Sequence, residues 1–228
     1  MSDPRFLIIE TSHRRGLVAL AYGNRVVGQR VLEEARRHCR ELVPSVKELL
    51  DEHGWNMNNL TGVIASRGPG SYTGLRVGLM SAKTLAYATG RALLAVDTFA
   101  AIALQGPPQA ATVDVIADAQ QEKAYVQRFH RESNAWVAAA PLAIRPFLEW
   151  RETLSPSNWV SGPGLEIFAA RLPAEIQRVA PGNWTPKSES LLKLGLERWR
   201  RGDVDDVFTV EPLYLRVSAA EEKWAAKP

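Results

Sequence analysis

Alternation of apolar and polar positions organises the start of the chain. Phe6 to Glu10, Leu17 to Tyr22 and Val26 to Leu32 read as three strands, with Gly23-Asn24 as the hairpin turn between the second and third. The period then changes. From Cys39 to His53, Leu42, Val46, Leu49 and Leu50 recur at helical spacing; Pro44 falls in the first turns of that helix and Gly54 ends it. An apolar strand at Gly62 to Ser66 passes through a glycine turn into a long Ala-rich helix that reaches Thr89. A strand at Ala92 to Val96 and a short helix at Thr98 to Leu104 follow. Gln105-Gly106-Pro107-Pro108 breaks the pattern and sets the expected boundary between a first domain, residues 1–106, and a second, residues 107–228.

The second half opens like the first. Val113 to Ala117 and Ala124 to Phe129 alternate as strands, and Trp136 to Ala140 adds a third. Helices are predicted at Arg145 to Leu154, Gly164 to Ala170 and Ser188 to Arg201, with a strand at Trp159-Val160 between the first two. Strands followed by alternating helices and strands, given twice, predict an α/β layer architecture with mixed sheets. All tryptophans except Trp55 lie beyond residue 130, which suggests that they fill the core of the second half. The basic residues Lys187, Lys193, Arg198, Arg200 and Arg201 are offset by Glu189, Glu197 and Asp203, so the last helix reads as a solvated one.

The run Gly68-Pro69-Gly70-Ser71-Tyr72-Thr73-Gly74-Leu75-Arg76-Val77-Gly78 is the most distinctive feature of the chain. Small residues continue at every fourth position through Ala82, Ala86 and Gly90. At roughly 100° per residue, a step of four drifts by only about 40°, so these positions form one slowly winding stripe. Glycine inside a helix costs about 0.5–1 kcal/mol relative to alanine, so something must offset it. One reading is a phosphate cradle at a helix N-terminus. The run has neither the Gly-Lys-Ser/Thr ending of a P-loop nor the dinucleotide spacing. The other is close backbone packing, internal or against a partner, and the spacing favours it.

Composition narrows the class without naming a chemistry. The 228 residues are 46 % apolar and 23 % charged, ordinary for a globular protein, and the net charge of +3 permits contact with nucleic acid without arguing for it. Cys39 stands alone, which excludes a disulfide framework and a cysteine metal cluster. The polar start Met1 to Arg5 and the short apolar run Phe6 to Ile9 do not make a signal peptide, and no segment approaches the ~20 apolar residues of a membrane span. The expectation is a soluble cytoplasmic protein. Ser66, Ser71, Thr73 and Cys39 are nucleophile candidates without a histidine or acid partner evident in sequence.

Ser66-Arg67-Gly68-Pro69-Gly70-Ser71-Tyr72-Thr73-Gly74-Leu75-Arg76 resembles the Gly-Pro-Gly-Ser-(Phe/Tyr)-Thr-Gly-(Leu/Ile)-Arg signature of the TsaB (YeaZ) family. Weaker matches occur in the family's order: Ile9-Glu10-Thr11-Ser12, His38 to Pro44, Val96 to Phe99, Ile116 to Tyr125 and Pro212-Leu213-Tyr214-Leu215-Arg216. The resemblance spans nearly the whole chain. It implies a two-lobed actin/Hsp70-like ATPase fold of the RNase H-like class, with a mixed sheet flanked by helices in each lobe. It also implies a non-catalytic subunit of the machinery that forms N6-threonylcarbamoyladenosine on tRNAs reading ANN codons. The partners implied are the transferase TsaD, as a heterodimer, the ATPase TsaE and, indirectly, tRNA, with a homodimer when the chain is isolated.

The resemblance also implies pairing through the first lobe, by the glycine-signature helix and the helix before it, in a four-helix bundle with the partner. The interface positions expected are Leu42, Val46, Leu50, Tyr72, Gly74, Leu75, Gly78, Leu79 and Ala82, with Leu75, Leu79, Tyr72 and Met80 filling the flanks of the stripe and Arg36, Arg37 and Arg40 near the rim. TsaD-like enzymes hold a metal through His-x-x-x-His; here Leu42 follows His38 and Glu34 precedes it, so a metal site would rest on Glu34 and His38 alone, and none is expected. In this superfamily the turn after the first strand serves nucleotide phosphates. Glu10, Thr11 and Ser12 stand there, followed by His13-Arg14-Arg15, and Asp118 begins the equivalent turn of the second lobe with Gln120 where the family often has arginine. A polar hairpin turn is the plainer reading of Glu10 to Arg15. No tightly bound cofactor is expected; ATP or ADP at the interface of the complex is the alternative left open. A stand-alone kinase-like ATPase of the same superfold, and a homodimeric interaction protein without a tRNA role, are the competing functions.

Overall fold

The computed structural model describes residues 3–32, 38–133 and 135–215. Strands β1 (Arg5–Glu10), β2 (Gly16–Tyr22) and β3 (Arg25–Leu32) form an antiparallel meander, with Gly23 at φ 61° in the β2–β3 turn. Helix α1 (His38–Glu52) follows and ends at Gly54, whose φ of 62° lets Trp55 N–H reach the Leu50 carbonyl at 2.9 Å. Strand β4 (Gly62–Gly68) then runs parallel to β1, helix α2 (Tyr72–Thr89) crosses the sheet, and β5 (Ala92–Asp97) pairs parallel to β4. Helix α3 (Thr98–Ala103) leads out of this lobe. The strand order is β3-β2-β1-β4-β5.

The second lobe repeats that order. Strands β6 (Thr112–Asp118), β7 (Lys123–Glu132) and β8 (Ala135–Ala138) are antiparallel; β10 (Trp159–Ser161) lies parallel to β6, and β11 (Gln177–Arg178) parallel to β10, giving β8-β7-β6-β10-β11. Two mixed sheets with one strand order and flanking helices are the expected duplicated α/β architecture. The departures are local. Ala143–Pro146 forms β9, which pairs with β7, so the helix expected from Arg145 begins only at Phe147 as α4 (Phe147–Arg151). The helix expected over Gly164–Ala170 is α5 (Leu165–Phe168), continued by a 3-10 turn.

The larger correction concerns the domain boundary. Helix α6 (Ser188–Arg200), expected to be a solvated part of the second domain, lies across the sheet of the first. Its residues Leu191, Leu192 and Leu196 are buried with Phe6, Ile8, Ala19, Ile64 and Leu94, on the face opposite α1 and α2. Gly195 permits the approach: a Cβ there would stand 2.5 Å from Ile64 Cδ1. Trp199 meets Phe6 edge-on at 5.8 Å, so this tryptophan serves the first lobe, whereas Trp150 is buried in the second. Trp224 lies outside the described residues.

The chain then stays with the first lobe. Arg198 donates to Asp203, to Asp205 and to the Ala95 carbonyl, and its hydrogen bonds to Asp203 and Asp205 hold its pKa above the ordinary arginine value. Asp205 accepts from Ala95 N–H at 2.7 Å, and Leu213 N–H reaches the Arg67 carbonyl at 2.8 Å. The first lobe is therefore residues 3 to about 104 plus 188–215, because a sheet with two apolar faces needs a cover on each. A fragment ending at Gly106 leaves the second face uncovered and is expected to aggregate on size-exclusion chromatography. In the full chain, Leu191→Ala is expected to cost about 2–5 kcal/mol in urea unfolding. A soluble, folded 1–106 fragment would restore the boundary read from sequence.

Candidate functional site

The C-terminal end of β1, the turn after it and the N-terminal end of α2 meet at one place. Thr11 Oγ1 donates to the Gly74 carbonyl at 2.7 Å, and Ser71 N–H donates to the Ser12 carbonyl at 2.7 Å. Ser71 caps α2 by accepting from Gly74 N–H at 3.2 Å. No side chain fits between the turn and the helix. A Cβ on Gly74 would lie 2.0 Å from the Thr11 carbonyl oxygen, one on Gly78 2.0 Å from Thr11 Oγ1, and one on Gly70 2.3 Å from the Ser12 carbonyl oxygen. The glycine stripe thus packs within the chain, against its own first hairpin, and the place where a phosphate would approach the glycine turn holds the Thr11–Ser12 backbone.

This overturns most of the interface read from sequence. Leu42, Val46, Leu50, Gly74, Leu75, Gly78, Leu79 and Ala82 are all buried in the chain itself. Tyr72 is half-buried, its ring tilted against Tyr214 at 4.9 Å, with the Arg76 guanidinium 4.2 Å from its ring. The outward positions include Arg40, Val43 and Lys47 on α1, and Thr73, Arg76, Met80, Thr84 and Tyr87 on α2. Val43, Met80 and Tyr87 are 62 %, 55 % and 65 % exposed, large fractions for apolar side chains. Spacing alone gave the stripe but not its direction. Arg36, Arg37 and Glu34 lie outside the described residues, as does the side chain of His38.

Glu10 is buried beneath the turn. Its Oε1 accepts from Ser12 N–H at 2.5 Å, while Oε2 and the nearby Ser66 hydroxyl each lack a partner at hydrogen-bonding geometry. Burial pushes the Glu10 pKa above its ordinary 4.5; contacts with Ser12 and Ser66 oppose that shift without cancelling it. Thr11 and Ser12 are buried as well. His13 reaches across to the second lobe, where its Nε2 stands 3.6 Å from Glu166 of α5. Burial pushes its pKa below 6.5, and the attraction of Glu166 only partly offsets this.

Asp118 has a different setting. It is exposed, and its Oδ1 accepts from Gln120 N–H at 2.7 Å, closing a turn in which Gln120, Gln121 and Glu122 take φ values of 61°, 51° and 59°. The structure therefore brings Glu10, Thr11, Ser12, Ser66 and the glycine stripe together, and keeps Asp118 in a turn of its own. Sequence reasoning missed the second lobe's counterpart of the glycine loop. Gly162-Pro163-Gly164 follows β10 as Gly68-Pro69-Gly70 closes β4, and Gly164 N–H donates to the Ile116 carbonyl of β6 at 2.9 Å. The repeated Gly-Pro-Gly after the equivalent strand is the signal that could have found it. Among the described residues, no three of His, Cys, Asp and Glu come together as metal ligands.

Two expectations follow. Gly78→Ala is expected to lower stability by about 1–3 kcal/mol through overpacking against Thr11. Adding Thr11→Ala should recover part of that loss, so a double-mutant cycle in urea should show non-additivity; simple additivity would mean that the stripe does not meet the hairpin. For Glu10, the folded state holds its proton more tightly than the unfolded chain, so its contribution is most favourable below about pH 4.5 and declines as pH rises toward the folded value. Glu10→Gln keeps the Oε1 acceptor and is expected to flatten that decline, with its advantage appearing at pH 8 and vanishing at pH 4.

The comparisons with known proteins follow the same lines. The family model described as TsaD, tRNA N6-adenosine threonylcarbamoyltransferase, matches residues 26–156, more than half of the chain. The tRNA threonylcarbamoyladenosine biosynthesis protein TsaB of Bacillus subtilis is 26 % identical over 227 residues, covering 96 % of both chains. The solved structure of YeaZ from Pseudomonas aeruginosa superposes with a TM-score of 0.79 at 26 % identity, covering 93 % of this chain and all of that one. The activator of 2-hydroxyisocaproyl-CoA dehydratase from Clostridium difficile, solved with bound ADPNP, shares the fold alone, at a TM-score of 0.50, 9 % identity and coverage of 90 % of this chain and 98 % of that one. With one strand order in both lobes, the glycine signature in place and similarity running end to end, the chain has the actin/Hsp70-like ATPase fold and belongs to the TsaB (YeaZ) family of tRNA threonylcarbamoyladenosine biosynthesis proteins, whose glycine helix falls within the region matched by the threonylcarbamoyltransferase model.

Proposed function

We propose that this chain is a non-catalytic subunit that pairs with a TsaD-type transferase and activates it to form N6-threonylcarbamoyladenosine on tRNAs reading ANN codons, in the cytoplasm, with a TsaE-type ATPase joining the pair. The end-to-end similarity to TsaB carries the assignment to the pathway. The non-catalytic role rests on the Glu10 site. The acid that would serve phosphate in an ATPase of this fold is buried with its charged form disfavoured, and the Thr11–Ser12 backbone fills the glycine loop. In this reading the Glu10 site holds no nucleotide tightly, ATP or ADP binds at the interface with the transferase, and the pairing faces of α1 and α2 touch tRNA only indirectly. The outward faces of α1 and α2, with Val43, Met80 and Tyr87, replace the buried stripe as the pairing surface. The isolated chain uses the same faces to form a homodimer. A stand-alone kinase would need Glu10 ionised and open to phosphate.

The deciding experiment is nucleoside analysis of tRNA incubated with threonine, bicarbonate, ATP, purified TsaD, TsaE and the adenylate-forming enzyme of the same organism. The modified nucleoside is expected to appear only when this chain is added. Full modification without it would overturn the assignment.

A further inference from the structure

A cavity of about 540 Å³ opens at the far end of the first lobe, beside the start of β1 and about 20 Å from Glu10 at its other end. That size lies in the range of small-ligand sites, roughly 300–1,000 Å³. Leu196 and Trp199 of α6 and Tyr22 of β2 line it, together with Asp3, Arg25 and Arg200. Trp199 is fixed by its edge-on contact with Phe6, and Tyr22 is braced by the Arg5 guanidinium at 5.8 Å and by Trp55 at 6.4 Å. The aromatic walls are therefore held in place before any ligand arrives.

Arg198 and Arg67 are committed to carboxylates, whereas Arg25 and Arg200 make no hydrogen bond or ion pair among the described residues, and Asp3 pairs with neither. Two unengaged guanidiniums beside a fixed indole fit a ligand with one flat face and one anionic group. We infer that this cavity binds a nucleotide unit, with the base on Trp199, the phosphate between Arg25 and Arg200, and Asp3 accepting from an exocyclic amino group. Such a unit comes either from a free nucleotide or from a single-stranded stretch of RNA.

The test is calorimetric titration of the full chain with AMP and, separately, with a short oligoadenylate, at low salt. Binding of AMP identifies a free nucleotide as sufficient; binding of the oligonucleotide alone identifies a strand. In either case, Arg25→Glu with Arg200→Glu is expected to weaken binding by at least about tenfold, with circular dichroism unchanged because both side chains are exposed. Failure of both ligands to bind, or binding that survives the double substitution, would overturn the inference. The outcome is independent of the reconstitution above, which reads activation of the transferase.

Discussion

The turn at Thr11–Ser12 lies directly on the backbone of α2, and the rest of the first lobe is arranged around that contact. It requires Gly74 and Gly78 inside a helix and glycine at position 70, because any Cβ there would overlap the turn. The glycines cost helix propensity, and the hydrogen bonds Thr11 Oγ1 to Gly74 O and Ser71 N to Ser12 O offset it in a region closed to water. Drawing the helix this close buries Leu75, Leu79 and Ala82 against the sheet. The opposite face, with Met80 and Tyr87, is consequently turned outward.

The same contact decides the chemistry of Glu10. At the end of the first strand the turn closes over the carboxylate. One oxygen receives the Ser12 N–H, the other receives nothing, and desolvation prevails over the neighbouring hydroxyls. Asp118, at the matching position of the second sheet, stays in solvent and folds its own turn. Two sheets of one topology thus treat equivalent acids in opposite ways. The turn after Glu10 is buried under the N-terminal end of α2, whereas Gln120 to Glu122 after Asp118 are exposed.

Periodicity made most of the elements legible, because each strand and helix buries one regular face and its spacing records which. The duplicated order of strands was legible for the same reason. What stayed hidden depended on contacts distant in sequence. Charge counting placed α6 in solvent, yet Leu191, Leu192 and Leu196 form its apolar stripe and Arg198 is engaged by Asp203 and Asp205. The end of the short strand β9, Arg145-Pro146, was read as the start of a helix because its pairing with β7 is tertiary. At the site, a four-residue step of small side chains predicts close approach but not the approaching backbone; packing within the chain and packing against a partner leave the same pattern. On the helix before it the apolar positions cover more than one face: Leu42, Val46, Leu49 and Leu50 fill the inward side and leave Val43 as the outward apolar position.

The first lobe is built from both ends of the chain, and this shapes the face it presents. After α6, the segment returning past Asp205 binds the edge of β5 through Leu93 and Ala95, then crosses to the glycine loop through Leu213 and Arg67. Along the way Lys83 of α2 donates to the Val210 carbonyl at 2.9 Å, and Phe208 meets Tyr87 edge-on at 5.4 Å. At the N-terminal end of α2, the Tyr214 ring lies tilted against Tyr72 and its hydroxyl accepts from Arg76 Nε at 3.0 Å. The signature arginine therefore anchors the C-terminal segment, which links two sequence motifs nearly 140 residues apart. A helix bracketed at both ends by aromatic contacts with a distant segment is held to the lobe on its flank as well as on its buried face. The outward strip between the brackets, centred on Met80, is rigidly mounted, and a partner docking there would meet a surface already ordered before it binds.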